Sequence, residues 1–149
     1  MQQFDNEVGK RRRIDICVMK ASDAKDYFLQ FLSLEEKEKK RETAKLSEKL
    51  INNSWKTEVK QWFLAVRDKS GQIIGKIEVV PLKDGNAFFT IEMANQQWIL
   101  KYGDEAVDQF IKICKERKYF STIEFDKENT IIEHYRKVHN LGTYEFKIA

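Results

Sequence analysis

The sequence predicts an α+β fold of the mixed α/β kind, in which a mostly antiparallel sheet is flanked by helices. Three observations lead to this prediction. The middle of the chain holds three consecutive apolar runs joined by short turns, which is typical of an antiparallel meander. The segment before it is dense in Glu and Lys, with apolar residues at helical spacing. The segment after it alternates helix, strand, helix and strand.

The N-terminal part is predicted to form one strand and then helices. Polar and apolar residues alternate imperfectly over Ile14–Met19, which favours a strand. Ser22 is a candidate N-cap for the helix that follows. Residues 34–60 contain no Gly or Pro, and we expect Asn52–Ser54 to divide them into two helices. The apolar positions of these helices are Tyr27, Phe28, Phe31, Leu32, Leu46, Leu50, Trp55 and Val59.

The meander is predicted over residues 62–93. Its parts, in order, are Trp62–Val66, the turn Asp68–Gln72, Ile73–Val80, the turn at Pro81 and Asp84–Asn86, and Ala87–Met93. Because short turns join the strands, their pairing must be antiparallel. Gly75 lies inside an otherwise apolar strand, which indicates either a bulge or the close approach of another group.

The last part of the chain is predicted to be helical from Gly103. Ser121–Phe125 is a short strand, and the helix before it favours a parallel pairing with the end of the meander. Asn129–His139 is a final helix, which Asn140-Leu141-Gly142 ends in the manner of a glycine C-cap. Thr143–Ile148 is predicted to be a final strand.

Length and composition limit the class of protein. The chain has 149 residues, 34% charged and 42% hydrophobic, with a net charge of +3. We expect residues 1–12 to be a polar tail and residues 13–149 to form a single domain. No apolar stretch reaches the roughly 18 residues that a membrane span needs. The near balance of charge argues against nucleic acid as a partner, and the basic run Lys10–Arg13 is either a solvated tail or a grip for phosphate or an acidic partner.

Cysteine and histidine usage argues against a metal centre. Cys17 and Cys114 both sit in apolar surroundings and are expected to be reduced and buried, which favours a cytoplasmic protein. His134 and His139 are spaced unlike the ligands of any zinc site, so no metal is expected.

The junction between the meander and the next helix is the most informative part of the sequence. The apolar run ends near Met93, and the helix is predicted to begin at Gly103. The first amides of a helix have no partner inside it, and the helix dipole adds positive charge there, so this junction could hold an anion such as a pyrophosphate. The alternative is a simple turn before a helix, and the residues alone leave both open.

From about Arg13 to the C-terminus, the chain resembles the GNAT superfamily of N-acetyltransferases. Three segments carry the resemblance: the hairpin Val66–Ile77, the run Tyr102–Val107, and Phe125–Asn129 followed by a helix with Tyr135. The family's loop reads Gln or Arg, two residues, Gly, one residue, then Gly or Ala. With Gly103 in the last position, Trp98 stands at the first and Lys101 replaces the first glycine. The family usually ends in two strands, and the missing one is either lost here or supplied by another chain, as in a homodimer.

The resemblance implies an acetyl-CoA-dependent N-acetyltransferase that transfers an acetyl group directly to a primary amine of a small molecule or peptide, with acetyl-CoA as co-substrate and no metal. It implies that amides of the predicted loop contact the pyrophosphate and that the end of the third meander strand pairs with the pantetheine arm. Asn129 would hydrogen-bond that arm or cap the last helix. The implied cofactor-binding residues are Met93, Ala94, Trp98, Leu100, Lys101, Tyr102, Gly103, Asp104 and Asn129.

The resemblance also implies the residues that move protons. Glu92 is the first choice for the general base, with Glu124 on the neighbouring strand as the reserve, and Tyr135 is the candidate acid towards the departing thiolate. The alternatives are an outward-facing strand glutamate and a buried aromatic ring with a tethered hydroxyl. A second function stays open, since Trp98 and Lys101 also suit a catalytically inactive GNAT-like domain that serves as a binding or assembly module.

Overall fold

A six-stranded sheet lies at the centre of the protein in the computed structural model, which describes residues 13–55 and 61–148. The order of the strands across the sheet follows their order along the chain. The strands are β1 Ile14–Val18, β2 Trp62–Asp68, β3 Ile73–Pro81, β4 Asn86–Met93, β5 Thr122–Phe125 and β6 Glu145–Lys147. Only β4 and β5 pair in parallel. The predicted fold class is therefore confirmed, whereas the predicted tail over residues 1–12 lies outside the described residues.

Helices cover both faces of this sheet. They are α1 Asp23–Phe28, α2 Glu36–Trp55, α3 Gln96–Arg117 and α4 Thr130–Val138. Side chains along β2 alternate between two apolar clusters, since Leu64 and Val66 pack with α3 and α4, and Phe63 and Ala65 pack with α1 and α2. The α3/α4 face carries the larger cluster.

The early helix is longer than the sequence predicts. Helix α2 runs through Asn52–Ser54 without a break, so the predicted division into two helices is wrong at that cluster. Asn and Ser lower helix propensity by well under about 1 kcal/mol each, and the apolar stripe that buries Leu46 and Leu50 outweighs that cost. The part of the prediction that concerns 56–60 lies outside the described residues.

Helix α3 begins at Gln96, seven residues before the predicted start at Gly103. Asn95 is the N-cap, with extended backbone and a side chain that accepts a hydrogen bond from the Trp98 amide. No residue between Asn95 and Gly103 breaks a helix, and a glycine inside a helix costs only about 1 kcal/mol. Gly103 lets α3 approach α4, because a Cβ there would lie 3.3 Å from the Cγ2 atom of Ile131.

Two other predicted glycine roles have different outcomes. Gly75 marks a close approach, since a Cβ there would lie 2.5 Å from the sulfur of Met93, and the β2–β3 register also shifts opposite it. The prediction of a glycine C-cap for α4 is wrong, because Asn140 and not Gly142 adopts the left-handed conformation, with φ 53°. Leu141 and Asn140 then donate to the carbonyls of Arg136 and Lys137, which completes a Schellman motif.

Candidate active site

Strand β5 ends halfway along β4. The two strands pair from Asn86 opposite Thr122 to Phe89 opposite Phe125, and the amide of Asp126 donates to the Phe89 carbonyl. Beyond that point β4 continues to Met93 without a β5 partner. The splaying that the family resemblance implies is here an early end of β5, and we call the edge of β4 that β5 leaves unpaired, from Thr90 to Met93, the β4–β5 gap.

Asn129 lies beside the β4–β5 gap and caps α4, which is one of its two predicted roles; its predicted bond to the pantetheine arm stays a prediction. Its side-chain oxygen accepts from the amides of Ile131 and Ile132 at 3.0 and 3.2 Å, which caps α4. Its nitrogen donates to the Ile91 carbonyl at 2.6 Å and to the Thr90 hydroxyl oxygen at 3.0 Å. The carboxamide therefore ties the start of α4 to β4, and it occupies a backbone carbonyl that a ligand amide could otherwise use.

A cleft of about 530 Å³ lies between the first turns of α3 and α4, and we call it the α3–α4 cleft. Its lining residues are Arg13, Gln96, Ile99, Leu100, Lys101, Gly103, Asp104, Glu105, Thr130, Ile131 and His134. Both helices begin directly after β4 and β5, so the cleft flanks the β4–β5 gap on the α3/α4 face.

Ion pairs occupy most of the charged groups of this cleft. The Arg13 guanidinium contacts a Glu105 carboxylate oxygen at 2.6 Å and lies 4.9 Å from the centre of the Tyr102 ring. The hydrogen bond and charge of Glu105 raise the pKa of Arg13. His134 contacts Asp104 at 2.8 Å. Among the described residues, the Lys101 ammonium makes no ion pair and lies 5.4 Å from the same Tyr102 ring.

The predicted backbone grip on a pyrophosphate is wrong in its residues. The amides of Leu100–Asp104 lie inside α3, where helix geometry pairs each one with a carbonyl four residues earlier. The Trp98 amide is taken by the Asn95 side chain. The amides that helix geometry leaves without an internal partner are those of the first turn, at Gln96 and Gln97.

The side chains of the predicted cofactor-binding residues divide into two groups. Leu100, Lys101, Gly103 and Asp104 line the α3–α4 cleft. Trp98 and Tyr102 instead stack on each other, with ring centres 6.0 Å apart, and pack against the apolar clusters. The side chains of Met93 and Ala94 are buried on opposite faces of the sheet, so these two residues can offer a ligand only their backbone.

Glu92 points to the α1/α2 face of the sheet, where its carboxylate is exposed to solvent. The hydroxyl of Tyr27 in α1 donates to its Oε1 atom at 2.5 Å. Burial and the neighbouring Glu92 charge raise the pKa of Tyr27 well above its usual value. On the next strand, Glu78 accepts from Lys76 and Gln61, each at 2.6 Å. The sequence analysis predicts Tyr27 only as an apolar position of a helix. The feature that could have pointed to its contact with Glu92 is the hydroxyl within an apolar stripe, because a buried hydroxyl requires a partner.

Glu124 does not lie beside Glu92. It is opposite Phe88, four residues before Glu92 on β4, which is about 13 Å away along the strand. Glu124 lines an open trough of about 770 Å³ on the same side of the molecule. The other residues of this trough are Phe88, Phe125, Asp126, Lys127, Glu128, Thr143, Tyr144 and Glu145.

Tyr135 lies in the apolar cluster of the α3/α4 face. Its ring is 2% exposed, and its hydroxyl donates to Asp108 at 3.2 Å. Burial first, and then the charge and hydrogen bond of Asp108, raise the pKa of Tyr135 well above its usual value. The arrangement matches the alternative of a buried ring with a tethered hydroxyl. The three predicted proton-transfer residues therefore do not form one cluster.

The part of the chain that the structure describes contains neither a membrane-spanning helix nor a cluster of metal-ligating side chains. None of the described helices is long and apolar enough to cross a membrane. Within 13–55 and 61–148, no group of three His, Cys, Asp or Glu side chains is arranged to hold a metal ion.

Comparison with known proteins connects the fold to a family. No protein-family model and no curated protein matches the sequence. Among solved structures, a spermidine N-acetyltransferase SpeG chimera of Vibrio cholerae and hSSAT superposes with TM-score 0.64 at 15% identity, over 85% of this chain and 79% of that one. A GNAT-family acetyltransferase of Streptococcus pneumoniae gives TM-score 0.54 at 11% identity, over 85% and 83%.

A dodecameric spermidine N-acetyltransferase of Vibrio cholerae gives TM-score 0.60 at 14% identity, over 85% of this chain and 77% of that one. At identities of 11–15%, these similarities show a shared fold and nothing beyond it. The protein therefore has the fold of the GNAT acetyltransferases, as the sequence predicts.

Proposed function

We propose that the protein is an acetyl-CoA-dependent N-acetyltransferase that moves an acetyl group directly to a primary amine of a small molecule or peptide. The observation that carries this proposal is the β4–β5 gap, with the α3–α4 cleft on one face of the sheet and the Glu92 carboxylate on the other. An arm that enters from the cleft could meet an amine that enters from the Glu92 side. The shared fold of the neighbouring acetyltransferases supports the same function.

The residues of the cleft fit acetyl-CoA in part. β4 has no β5 partner beyond Phe89, so backbone groups at Met93 would pair with the arm. Lys101, whose ammonium has no carboxylate partner among the described residues, and Arg13 at the edge of the cleft would hold the phosphates. Asp104 and Glu105 would repel them, although Arg13 already balances the charge of Glu105. Bound acetyl-CoA supplies the acetyl group as an activated thioester.

Glu92 is the proposed general base. Its exposed carboxylate lies on the part of β4 that borders the gap and would take a proton from the incoming ammonium, directly or through a water molecule. The freed lone pair of the amine would then form the bond to the acetyl carbon as the carbon–sulfur bond breaks. The second proton lost by the nitrogen would pass to the departing thiolate, which leaves as the thiol, and Glu92 would return the first proton to solvent. Glu124, the reserve candidate for the general base, lies opposite Phe88, four residues along β4 from Glu92. It could act as the base only for an acceptor whose amine binds at that end of the strand.

Tyr135 is the proposed donor towards the departing sulfur. Its raised pKa keeps the phenol protonated at neutral pH, so the hydroxyl is available as a hydrogen-bond donor. The same shift makes full transfer of its proton to a thiol of ordinary pKa unfavourable. Tyr135 would therefore stabilise negative charge on sulfur by a hydrogen bond, after release from Asp108.

The acceptor side of the proposed site is rich in carboxylates. Glu124, Asp126, Glu128 and Glu145 line the trough beside the Glu92 face, against the single cation Lys127. This balance of charge suits a cationic amine, and two structural neighbours carry the name spermidine N-acetyltransferase. The free thiols of Cys17 and Cys114 favour a reducing compartment such as the cytoplasm. The proposal includes a homodimer. β6 lies at one edge of the described sheet, where its unpaired backbone groups could form the contact between two copies.

The test begins with binding and then measures transfer. Titration with acetyl-CoA should raise the melting temperature and give a saturable binding heat, because a ligand that binds only the folded state stabilises it. Acetyl transfer is then measured with spermidine and with a lysine-containing peptide as acceptors. Glu92→Gln should lower kcat by about 10²-fold or more and leave acetyl-CoA binding unchanged. Lys112→Gln, on the exposed side of α3, is the matched control and should change neither quantity.

A second function, a catalytically inactive binding or assembly module, is favoured by one observation. Helix replaces the predicted loop over residues 98–103, so its backbone cannot wrap around a diphosphate. Absence of both the melting shift and the binding heat at millimolar acetyl-CoA would select this function. Binding without transfer to any amine would limit the protein to recognition of the cofactor.

A further inference from the structure

The Tyr27 hydroxyl is a buried polar group that the proposed chemistry does not use. Its residue is 0% exposed and belongs to the apolar cluster between α1, α2 and the sheet. The rings of Phe28 and Phe31 lie 5.1 and 5.0 Å from the Tyr27 ring and hold it edge-on. A phenol held in such surroundings is fixed in direction, and its hydroxyl is directed to one acceptor, the Oε1 atom of Glu92.

The two oxygens of the Glu92 carboxylate are in different situations. Oε1 accepts the Tyr27 hydrogen bond at 2.5 Å, a short distance that is typical of a hydroxyl bound to a charged carboxylate. Among the described residues, Oε2 has no hydrogen-bond partner, and the residue is exposed. One oxygen is therefore anchored in the protein while the other faces solvent beside the β4–β5 gap.

A glutamate without this contact would have several rotamers on an exposed strand. The contact gives the buried Tyr27 hydroxyl its partner, and it also fixes the direction of the second Glu92 oxygen. The raised pKa of Tyr27, caused first by burial and then by Glu92, keeps the phenol a donor while the carboxylate is charged. Lys76 and Glu78, the charged residues nearby on β3, form an ion pair with each other, so the side-chain partner of Glu92 among the described residues is Tyr27.

We propose that Tyr27 is a positioning residue, which anchors one oxygen of Glu92 so that the other faces the amine acceptor at the mouth of the β4–β5 gap. This inference rests on the proposed acetyltransferase function. Tyr27 itself neither gives up its proton nor contacts the acceptor. It acts by orientation, an effect for which small misplacements cost up to about 10²-fold in rate.

The experiment compares wild-type protein with Tyr27→Phe, Glu92→Gln and the double variant, with spermidine and the lysine-containing peptide as acceptors. Phenylalanine keeps the ring and its contacts with Phe28 and Phe31. Tyr27→Phe should lower kcat by about 10- to 100-fold and change the KM of the amine by less than about threefold. The double variant should be no slower than Glu92→Gln, because orientation has no value without the base. Tyr119→Phe, which alters a tyrosine at the far end of α3, should match wild type.

A second variant covers a failure of Tyr27→Phe to fold. Glu92→Asp keeps a carboxylate but withdraws it from the Tyr27 hydroxyl, and we expect a comparable loss of kcat in a folded protein. Wild-type kcat in Tyr27→Phe, or additive losses in the double variant, would overturn the inference and leave the proposed function intact. No transfer by the wild-type protein would overturn the proposed function and, with it, the role of Tyr27.

Discussion

The two faces of the sheet are packed by different chemistry. On the α3/α4 face, large apolar side chains meet, as in the stack of Phe89 on Phe110 at 4.8 Å. On the α1/α2 face the apolar cluster is smaller and is crossed by polar pairs, Tyr27 with Glu92 and Asp23 with Arg67. The difference indicates that one face supplies most of the folding energy, while the other holds charged groups in fixed positions where solvent can reach them.

The largest expected effect is on the α3/α4 face. Phe110→Ala should lower the free energy of unfolding by about 3–5 kcal/mol, because it empties a fully buried site. Urea denaturation followed by circular dichroism measures the loss. Phe31→Ala, a half-buried aromatic change on the α1/α2 face, should cost clearly less. Equal losses would break the comparison of the two faces.

The second effect is the response of the α3/α4 face to alkali. Burial raises the pKa of the Cys114 thiol to about 12 from an ordinary 9.0. The folded state then keeps a proton that the unfolded state loses, so stability is intact below pH 9.0 and falls between pH 9.0 and about 12. The slope is up to about 1.4 kcal/mol per pH unit. Denaturation of Cys114→Ala over the same range should show a shallower slope between pH 9.0 and 10; an unchanged slope would exclude this thiol as the cause.

The third effect concerns the polar α1/α2 face. Asp23 is 8% exposed, and it accepts from the Lys20 amide at 2.8 Å and the Arg67 guanidinium at 3.1 Å. Asp23→Ala should cost about 1–3 kcal/mol, since it leaves two donors without a partner. Glu36→Ala removes an exposed ion pair with Lys39 and should cost almost nothing. Thermal unfolding of both variants at neutral pH gives the comparison, and similar melting temperatures would show that burial adds little to the Asp23 contacts.

The smallest effect tests the link between the faces. Asn95 caps α3 with its side-chain oxygen and donates through its nitrogen to the Gln30 carbonyl after α1. Asn95→Ala should lower stability by about 1 kcal/mol, whereas Asn95→Ser keeps a capping oxygen and should restore part of it. Equal denaturation midpoints for the two variants would assign the loss to the Gln30 contact instead of the cap.

The parts of the fold that sequence could predict are those set by local chemistry. The meander follows from turn residues such as Asp68, whose carboxylate accepts from the amides of Ser70 and Gln72. The start of α3 differs from the prediction because the sequence analysis takes Gly103 as the first helical residue, although the run after Asn95 has no helix breaker until that glycine. Gly103 lies within α3 because it packs on Ile131 of α4. This is a contact between distant segments, which local sequence rules do not describe.

The candidate site was predictable in its strand positions and not in its contacts. Glu92 lies on β4 next to the gap, as expected from the order of the elements. Its partner Tyr27 is 65 residues away in sequence, and Tyr135 meets Asp108 across 27 residues. Spacing rules describe neighbours on one helix or strand and contain no information on such pairs.

The early start of α3 bears on how the proposed site would recognise its ligand. A glycine-rich loop is mobile until its guest orders it, and that ordering consumes part of the interaction energy. Here the corresponding residues are already fixed by the helix when the chain folds. A ligand of the proposed site would therefore bind to a preformed surface. Its binding would cost the protein little conformational entropy and would require a ligand whose shape already matches that surface.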